Sequence, residues 1–184
     1  MTVEIAVTAH QNLSSSDLYS LRDLFDDEYL HDFGDWDPDA PYGYSPADFH
    51  VTASCGGRLV GHVGFQVRTI GVGDLDVSVA GTGGVLVSEG ARASGLGRQL
   101  MQRAQQVMRD DAAVSFGYLG CRLEIVSFYE SVDWTRIYAR ERHTSRLNPS
   151  EIIESASTPI LICSATQSVH EWPAGDVDLR GGAW

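Results

Sequence analysis

Lysine is absent from this sequence, in which all 13 basic residues are arginines and 25 residues are acidic. Without a lysine amine, the chain cannot form the Schiff base on which one class of covalent catalysis depends. Cysteine is scarce, with three residues at Cys55, Cys121 and Cys163. Their odd number and wide spacing fit neither a metal site nor a disulfide framework. We therefore expect no metal cofactor, and a reducing cytoplasm as the location.

Long apolar runs are also missing, since none approaches the ~20 residues of a membrane-spanning helix. The opening residues, MTVEIAVTAH, lack the basic segment of a signal peptide. The 184 residues suffice for one domain with a sizeable core. We expect residues 1–184 to form a single domain with no membrane partner.

Positive charge is in short supply, and the formal net charge is −12. Such a chain has no basic face to offset nucleic-acid phosphates, so nucleic acid is excluded as a partner. A negative field instead attracts cationic small molecules. Acidity that serves only solubility is the alternative.

The apolar pattern predicts an α/β fold with a mixed sheet. Its elements follow the order β, α, three strands, α, β, α, β, β. The expected helices cover a face from Leu18 to Tyr29, a segment that starts at Leu96, and 122–132. The expected strands are 2–7, 49–55, 58–70, 75–87, 113–119, 135–140 and 159–164.

A long acidic and aromatic loop follows the first helix. No arginine occurs between Asp23 and Gly57, whereas Asp32, Asp35 and Trp36 lie within this stretch. Prolines and glycines interrupt regular structure there. Carboxylates could bind ammonium groups, and aromatic rings could pack against sugars or cations. A solvated loop without function is the alternative.

The most informative stretch runs from Val85 to Met108. A short apolar strand end is followed by Arg92-x-x-Gly95-x-Gly97 and then by apolar residues at helical spacing. The first amides of a helix lack intrahelical partners, and glycines allow a phosphate to approach closely. The pattern therefore predicts a pyrophosphate site, with a plain strand–turn–helix connection as the alternative.

Glycines interrupt the preceding strand in the run from Gly81 to Gly84. Glycine inside a strand indicates a bulge or a close approach of a ligand to the backbone. We expect a bulge that exposes backbone amides.

The strand, arginine and glycine spacing resembles motif A of the GNAT acyltransferase superfamily. The resemblance implies the GNAT acyl-CoA N-acyltransferase fold, with a mixed sheet of about six to seven strands and about four flanking helices. It also implies acetyl-CoA as co-substrate, with pantetheine along the strand and pyrophosphate at the loop. Ala93 replaces a glycine common in that family, which is tolerated if its φ is negative. The cofactor-binding residues so implied are Val85, Leu86, Val87, Arg92, Ala93, Ser94, Gly95, Leu96, Gly97 and Arg98.

The segment Phe128-Tyr129-Glu130-Ser131-x-x-Trp134 is similar to a second GNAT pattern, with Asp133 where glycine is usual. The matching tyrosine of that family protonates the departing thiolate, so the resemblance implies Tyr129 as the catalytic acid. A phenol of pKa about 10 is a plausible acid for this step. A core tyrosine is the alternative reading.

Residues 49–134 resemble the aminoglycoside 2′-N-acetyltransferases. The resemblance extends to Asp32-Phe33 and to the end of the chain, from Glu171 to Val177 and again at Trp184. It implies that Asp176 and the Trp184 carboxylate bind amino groups of the acceptor. The other candidate substrate-binding residues are Asp32, Asp35, Trp36 and Gly83. An insertion, 178–183, precedes Trp184.

Gly83 occupies the position at which that family has a glutamate that acts through water on the substrate amine. The base must then come from elsewhere, with Asp32, Asp35 and Glu124 as candidates, or the amine needs only solvent. His62, within a strand, is expected to be a core or supporting residue.

The resemblance implies an aminoglycoside 2′-N-acetyltransferase that confers antibiotic resistance by direct attack of an amine on the thioester. Kasugamycin is one candidate acceptor, and a homodimer is compatible with the resemblance. The alternatives are a nodulation-type N-acyltransferase acting on an amino sugar and a non-catalytic acyl-CoA-binding module.

Overall fold

The fold is that of a computed structural model, which describes residues 2–184. Three α-helices lie at Ser15–Phe33 (α1), Leu96–Asp110 (α2) and Val126–Glu130 (α3). No helix among the described residues is long and apolar enough to cross a membrane. The strands are Val3–Ala9 (β1), Phe49–Cys55 (β2), Arg58–Val72 (β3), Leu75–Val87 (β4), Phe116–Gly120 (β5), Thr135–Ile137 (β6), Glu141–Thr144 (β7), Ile152–Ser155 (β8), Ile160–Ser164 (β9) and Val177–Gly182 (β10).

All ten strands belong to one mixed sheet, which confirms the predicted fold class and exceeds the predicted strand number. The described residues form three α-helices, fewer than the about four expected. β3 pairs with β4 along its length, while β2 and then β10 pair with its other edge. Beyond β4 the order is β5, β9, β6, and beyond β10 it is β7, β8. The strands that the sequence pattern missed are β7, β8 and β10, which are short and polar or glycine-rich.

The first helix begins at Ser15 and contains the predicted apolar face from Leu18 to Tyr29. Ser14 and Asp17 form a reciprocal capping box, in which each side chain accepts a hydrogen bond from the other residue's backbone N–H. The helix buries Leu21, Leu24 and Phe25. Together with Trp36 and Leu86, these form a core cluster on the side of α1.

The second helix begins at Leu96, as predicted. Its buried face packs into the largest core cluster, opposite β2 and β3, and Leu100 fits against Gly61. A Cβ at Gly61 would lie 2.7 Å from Leu100 Cδ1, so the helix can approach the sheet only over a glycine.

The third predicted helix, 122–132, is shorter than expected. A 3-10 turn, Leu123–Ile125, leads into α3, and the chain turns at Asp133 with φ of +66°. Aspartate adopts this left-handed conformation more readily than most residues. The same conformation explains why glycine is usual at this place in the pattern.

Candidate active site

The site is organised around a cleft between β4 and β5. These parallel strands pair only from Val79 to Gly81 and from Phe116 to Tyr118. Further along, β4 pairs only with β3 and β5 only with β9, so the two strands diverge. This divergence leaves the backbone of the last residues of β4 without a strand partner on the cleft side. A ligand with amide groups can add to that edge as an extra strand would.

A β-bulge lies where the cleft opens, as predicted. His62 pairs with Leu86 and Gly64 with Gly83, so β4 has one residue more than β3 between these pairs. Gly84 lies in the bulge with φ of +59°. The Gly84 carbonyl accepts a hydrogen bond from His62 Nδ1 at 2.7 Å.

Gly81 and Gly83 serve a different purpose from the expected approach of a ligand to the backbone. A Cβ at Gly81 would lie 1.9 Å from the Trp184 indole, and one at Gly83 would lie 2.9 Å from the Trp184 main-chain carbon. These glycines therefore make room for Trp184. A glutamate at residue 83 would meet Trp184, which explains its absence from this chain.

The predicted pyrophosphate loop leads into α2. Gly95 has φ of +81° and accepts the first helical hydrogen bond, from Gln99 N–H. The amides of Leu96, Gly97 and Arg98 therefore have no intrahelical acceptor. Free amides of this kind are the donors that a bound anion needs, and the helix dipole adds partial positive charge beside them.

Arg92 stands at the start of the loop and is tied to the protein. Its Nε donates to the Val87 carbonyl at 2.9 Å, and its guanidinium is paired with Glu28 of α1. The other Glu28 oxygen accepts the Glu89 N–H at 3.0 Å. Arg92 thus fastens the loop to both β4 and α1, and about half of its side chain remains exposed.

Ala93 corrects one expectation. Its φ is +59°, in the left-handed region, whereas tolerance of alanine here was expected to rest on a negative φ. The Cβ makes this conformation costly. The loop therefore keeps the backbone conformation that a glycine at residue 93 would adopt, and Ala93 is strained in that conformation.

Arg98 and Gly97 connect the loop to α3. Arg98 donates to the Ser131 carbonyl at 2.6 Å, and Gly97 packs beneath Phe128. A Cβ at Gly97 would lie 3.3 Å from that ring. The segment that carries Tyr129 is thereby fixed against the start of α2.

Tyr129 is buried in the core cluster that also contains Leu96, and the partly buried Val85 and Val87 pack against this cluster. Its ring meets Trp134 edge to face at 6.2 Å. Burial raises the pKa of the Tyr129 phenol above its ordinary value, and the nearby Cys121 thiol adds to the effect. The phenol is thus protonated at neutral pH, as a general acid must be.

Of the predicted acceptor-binding residues, Asp32 lies in the last turn of α1 and not in the loop, whereas Asp35 and Trp36 follow the helix. Asp32 and Asp35 are exposed and, within residues 2–184, neither has a salt-bridge partner. Trp36 is a correction, because it is 3% exposed and stacks on Phe25 at 5.0 Å. Its faces are covered, so it is a core residue and offers no surface for a sugar.

Asp176 and Trp184 were expected to act together, and the structure separates them. β10 lies between them, so they stand roughly 20 Å apart along the strand. Asp176 accepts from Arg140 N–H and, through its carbonyl, from Gly73 N–H in the β3–β4 turn. Asp176 therefore closes a turn that is remote from the cleft. Of the two residues, only Trp184 reaches the cleft.

Residues around Trp184 were not predicted. Its indole donates to Gln66 Oε1 at 3.1 Å, and the Arg68 guanidinium lies 4.2 Å from the ring centre. Tyr118, hydrogen-bonded to buried Glu141, meets the indole edge to face. The sequence signal for these contacts with Trp184 was the spacing of Gln66 and Arg68, which places both polar side chains on the same face of β3.

Solved structures share this fold. ElaA from Escherichia coli is 21% identical with a TM-score of 0.63, covering 89% of this chain and 100% of its own. An acyl-CoA N-acyltransferase from Pseudomonas aeruginosa is 19% identical with a TM-score of 0.62, at the same coverage. YhbS from Escherichia coli, a GNAT family N-acetyltransferase in complex with CoA, is 14% identical with a TM-score of 0.61, covering 97% of this chain and 91% of its own.

A family model adds sequence evidence to this structural similarity. The model of the acetyltransferase (GNAT) family matches residues 18–133, more than half of the chain. The match takes in α1, the β2–β3–β4 hairpins, the loop with α2, and the tyrosine segment. The chain therefore belongs to the GNAT family of acetyltransferases.

Proposed function

We propose that this protein transfers an acetyl group from acetyl-CoA to an amine of a small cationic amino sugar, with a 2′-amino aminoglycoside as the acceptor class. The observation that carries the donor assignment is the β4–β5 cleft with an anion site at its mouth. YhbS, which has this fold, was solved with CoA. The donor's pantetheine amides match the free edge of β4, and its pyrophosphate matches the amides that open α2.

The reaction proposed is direct transfer. The neutral acceptor amine attacks the thioester carbonyl, a new C–N bond forms, and the C–S bond breaks. A backbone N–H at the β4 bulge stabilises the developing oxyanion. Tyr129 donates its phenolic proton to the departing thiolate, the nitrogen releases its extra proton to solvent, and the phenol regains a proton from solvent.

The acceptor class rests on charge. The chain has a net charge of −12, and the unpaired carboxylates of Asp32, at the end of α1, and Asp35, in the acidic loop, are exposed. The same loop is fastened beside the cleft by Ser45, whose N–H donates to the Ala183 carbonyl at 2.9 Å, next to Trp184. Multiply charged ammonium compounds would be drawn to this surface.

The test is thiol release from acetyl-CoA with purified protein and matched amino sugars, including kasugamycin and 2′-amino and 2′-hydroxy aminoglycoside pairs. We expect release with the 2′-amino members and none with their 2′-hydroxy partners. Equal rates within each pair would contradict the 2′ assignment. Faster release from long-chain acyl-CoA than from acetyl-CoA would favour the nodulation-type alternative.

A further inference from the structure

Three histidines form a hydrogen-bonded chain that ends at the bulge of β4. His10 Nδ1 lies 3.0 Å from His50 Nε2, and His50 Nδ1 lies 2.9 Å from His62 Nε2. His62 Nδ1 then lies 2.7 Å from the Gly84 carbonyl oxygen. His50 and His62 are almost completely buried, whereas His10 lies nearer the surface.

The direction of this chain follows from its last bond. A carbonyl oxygen can only accept, so His62 Nδ1 carries the proton and His62 Nε2 is an acceptor in the neutral ring. His50 must then donate from Nδ1, and His10 in turn donates from Nδ1 to His50. Burial keeps the His50 and His62 rings neutral, since it lowers the pKa of His50 to about 3 and that of His62 to about 4.

The His62 ring is held in one place by its surroundings. A Cβ at Gly64 would lie 3.0 Å from His62 Cε1, and one at Gly84 would lie 3.3 Å from the same ring. Phe25 meets the ring edge to face at 5.2 Å. Two glycines and one aromatic ring therefore fix the donor against the bulge carbonyl.

The carbonyl that accepts this bond shares a peptide unit with Val85 N–H. The described residues contain no cis peptide bond, so this N–H points away from the carbonyl and from His62. Donation to the oxygen draws electron density from the peptide and makes its N–H a stronger donor. A chain of such bonds reinforces the effect at each step.

We propose that the His10–His50–His62 chain orients and polarises the Gly84–Val85 peptide, whose Val85 N–H is the bulge donor of the acetyl-transfer step described above. This inference rests on the proposed acetyltransferase function. The three histidines are positioning residues, since none of them contacts the reacting atoms. The same bond explains why a flexible glycine bulge can hold a defined shape.

Three substitutions at His62 separate the polarising role from packing. His62→Asn keeps an amide N–H at the same distance from Cα as Nδ1, so it can still donate to Gly84. His62→Gln moves its polar group to the position of Nε2 and loses that donor, and His62→Leu removes both groups. His10→Ala breaks the chain at its outer end without emptying the core.

The readout is the infrared stretching frequency of the thioester carbonyl in bound [1-13C]acetyl-CoA, which needs no acceptor. We expect a downshift on binding to the wild type, much of it retained in His62→Asn, and most of it lost in His62→Gln and His62→Leu. His10→Ala should lose a smaller part of the downshift than His62→Gln does. With an acceptor present, kcat should fall about 10-fold in His62→Gln while KM for acetyl-CoA changes less than about twofold, because a donor is weakened and not removed.

The same downshift in the wild type and in every variant would overturn the inference. Loss of the downshift in His62→Asn as fully as in His62→Leu would also overturn it, because only packing would then matter. If a His62 variant fails to fold, His10→Ala still tests the inference. A carbonyl frequency in His10→Ala equal to that in the wild type would then contradict a polarised chain. Failure of the wild type to bind acetyl-CoA would overturn the proposed function itself.

Discussion

At the scale of single residues, Tyr129 and Ala93 show how backbone and burial prepare this site. Tyr129 is held neutral by its buried surroundings, and Ala93 adopts a φ of +59° that glycine would adopt without strain. The family pattern predicted the position of each residue. The conformation of Ala93 was beyond sequence reasoning, because φ depends on how Arg92 and Gly95 are anchored.

Tyr129→Phe tests the proposed acid. We expect kcat to fall by about 10²–10³, because the departing thiolate loses its proton donor. The dissociation constant for acetyl-CoA, measured by calorimetry, should change little. Tyr138→Phe is the matched control, since Tyr138 is 83% exposed and should behave as the wild type. An unchanged kcat in Tyr129→Phe would remove Tyr129 from the mechanism.

Ala93→Gly tests the strain in the phosphate loop. Relief of the Cβ clash is worth about 1–2 kcal/mol, and the added freedom of glycine in the unfolded chain offsets roughly half of it. The free energy of unfolding in urea should therefore rise by about 0.5–1 kcal/mol. Ala91→Gly, in the neighbouring 3-10 turn, should lower it. A stability loss in Ala93→Gly would show that the conformation is not strained.

At the scale of elements, the glycine run of β4 brings this strand into contact with the last residue of the sequence, Trp184. Gly84 bends the strand, while Gly81 and Gly83 receive Trp184. The sequence predicted the bulge, because glycines inside a strand pattern have few other uses. It could not predict Trp184 as the neighbour, since that contact depends on β10 pairing with β3 and with the distant β7.

Gly81→Ala tests this packing. The new Cβ would lie 1.9 Å from the indole, so Trp184 must move and lose its bond to Gln66. We expect a loss of about 1–3 kcal/mol in the free energy of unfolding. Faster proteolysis of residues 177–184, followed by mass spectrometry, should accompany it. Gly90→Ala, where nothing lies within 4 Å of the added carbon, should change neither quantity.

At the scale of the whole molecule, the fold and the strand–loop–helix geometry were largely predictable, and the surroundings of Trp36, Asp176 and Trp184 were not. The hairpin of β2 and β3, the amphipathic α2 and the strand–loop–helix motif each follow from local periodicity. Trp36, Asp176 and the histidine chain depend on contacts between distant segments. Trp36 looked like an exposed loop aromatic because its partner Phe25 lies on α1. Long-range packing of this kind leaves no periodic signal.

The negative charge of the molecule predicts how acceptor binding responds to salt. If Asp32 and Asp35 attract a cationic amino sugar, KM for the acceptor should rise several-fold between low and high ionic strength as these exposed charges are screened. Asp32→Asn with Asp35→Asn should raise KM at low salt and flatten this dependence. Asp110→Asn with Asp111→Asn, at the far end of α2, serves as the charge-matched control. Equal effects of the two pairs would contradict a local role for the loop.

The central claim is that the β4–β5 cleft and the start of α2 bind the acetyl donor. The most direct measurement is a titration of 15N-labelled protein with acetyl-CoA, followed through backbone amide resonances. We expect the largest shifts at 82–87 of β4 and at 94–98 around the start of α2, with small shifts at 152–155 of β8. Shifts centred on β8 or β10, with the amides of 82–87 and 94–98 unmoved, would contradict the donor site proposed for this acetyltransferase.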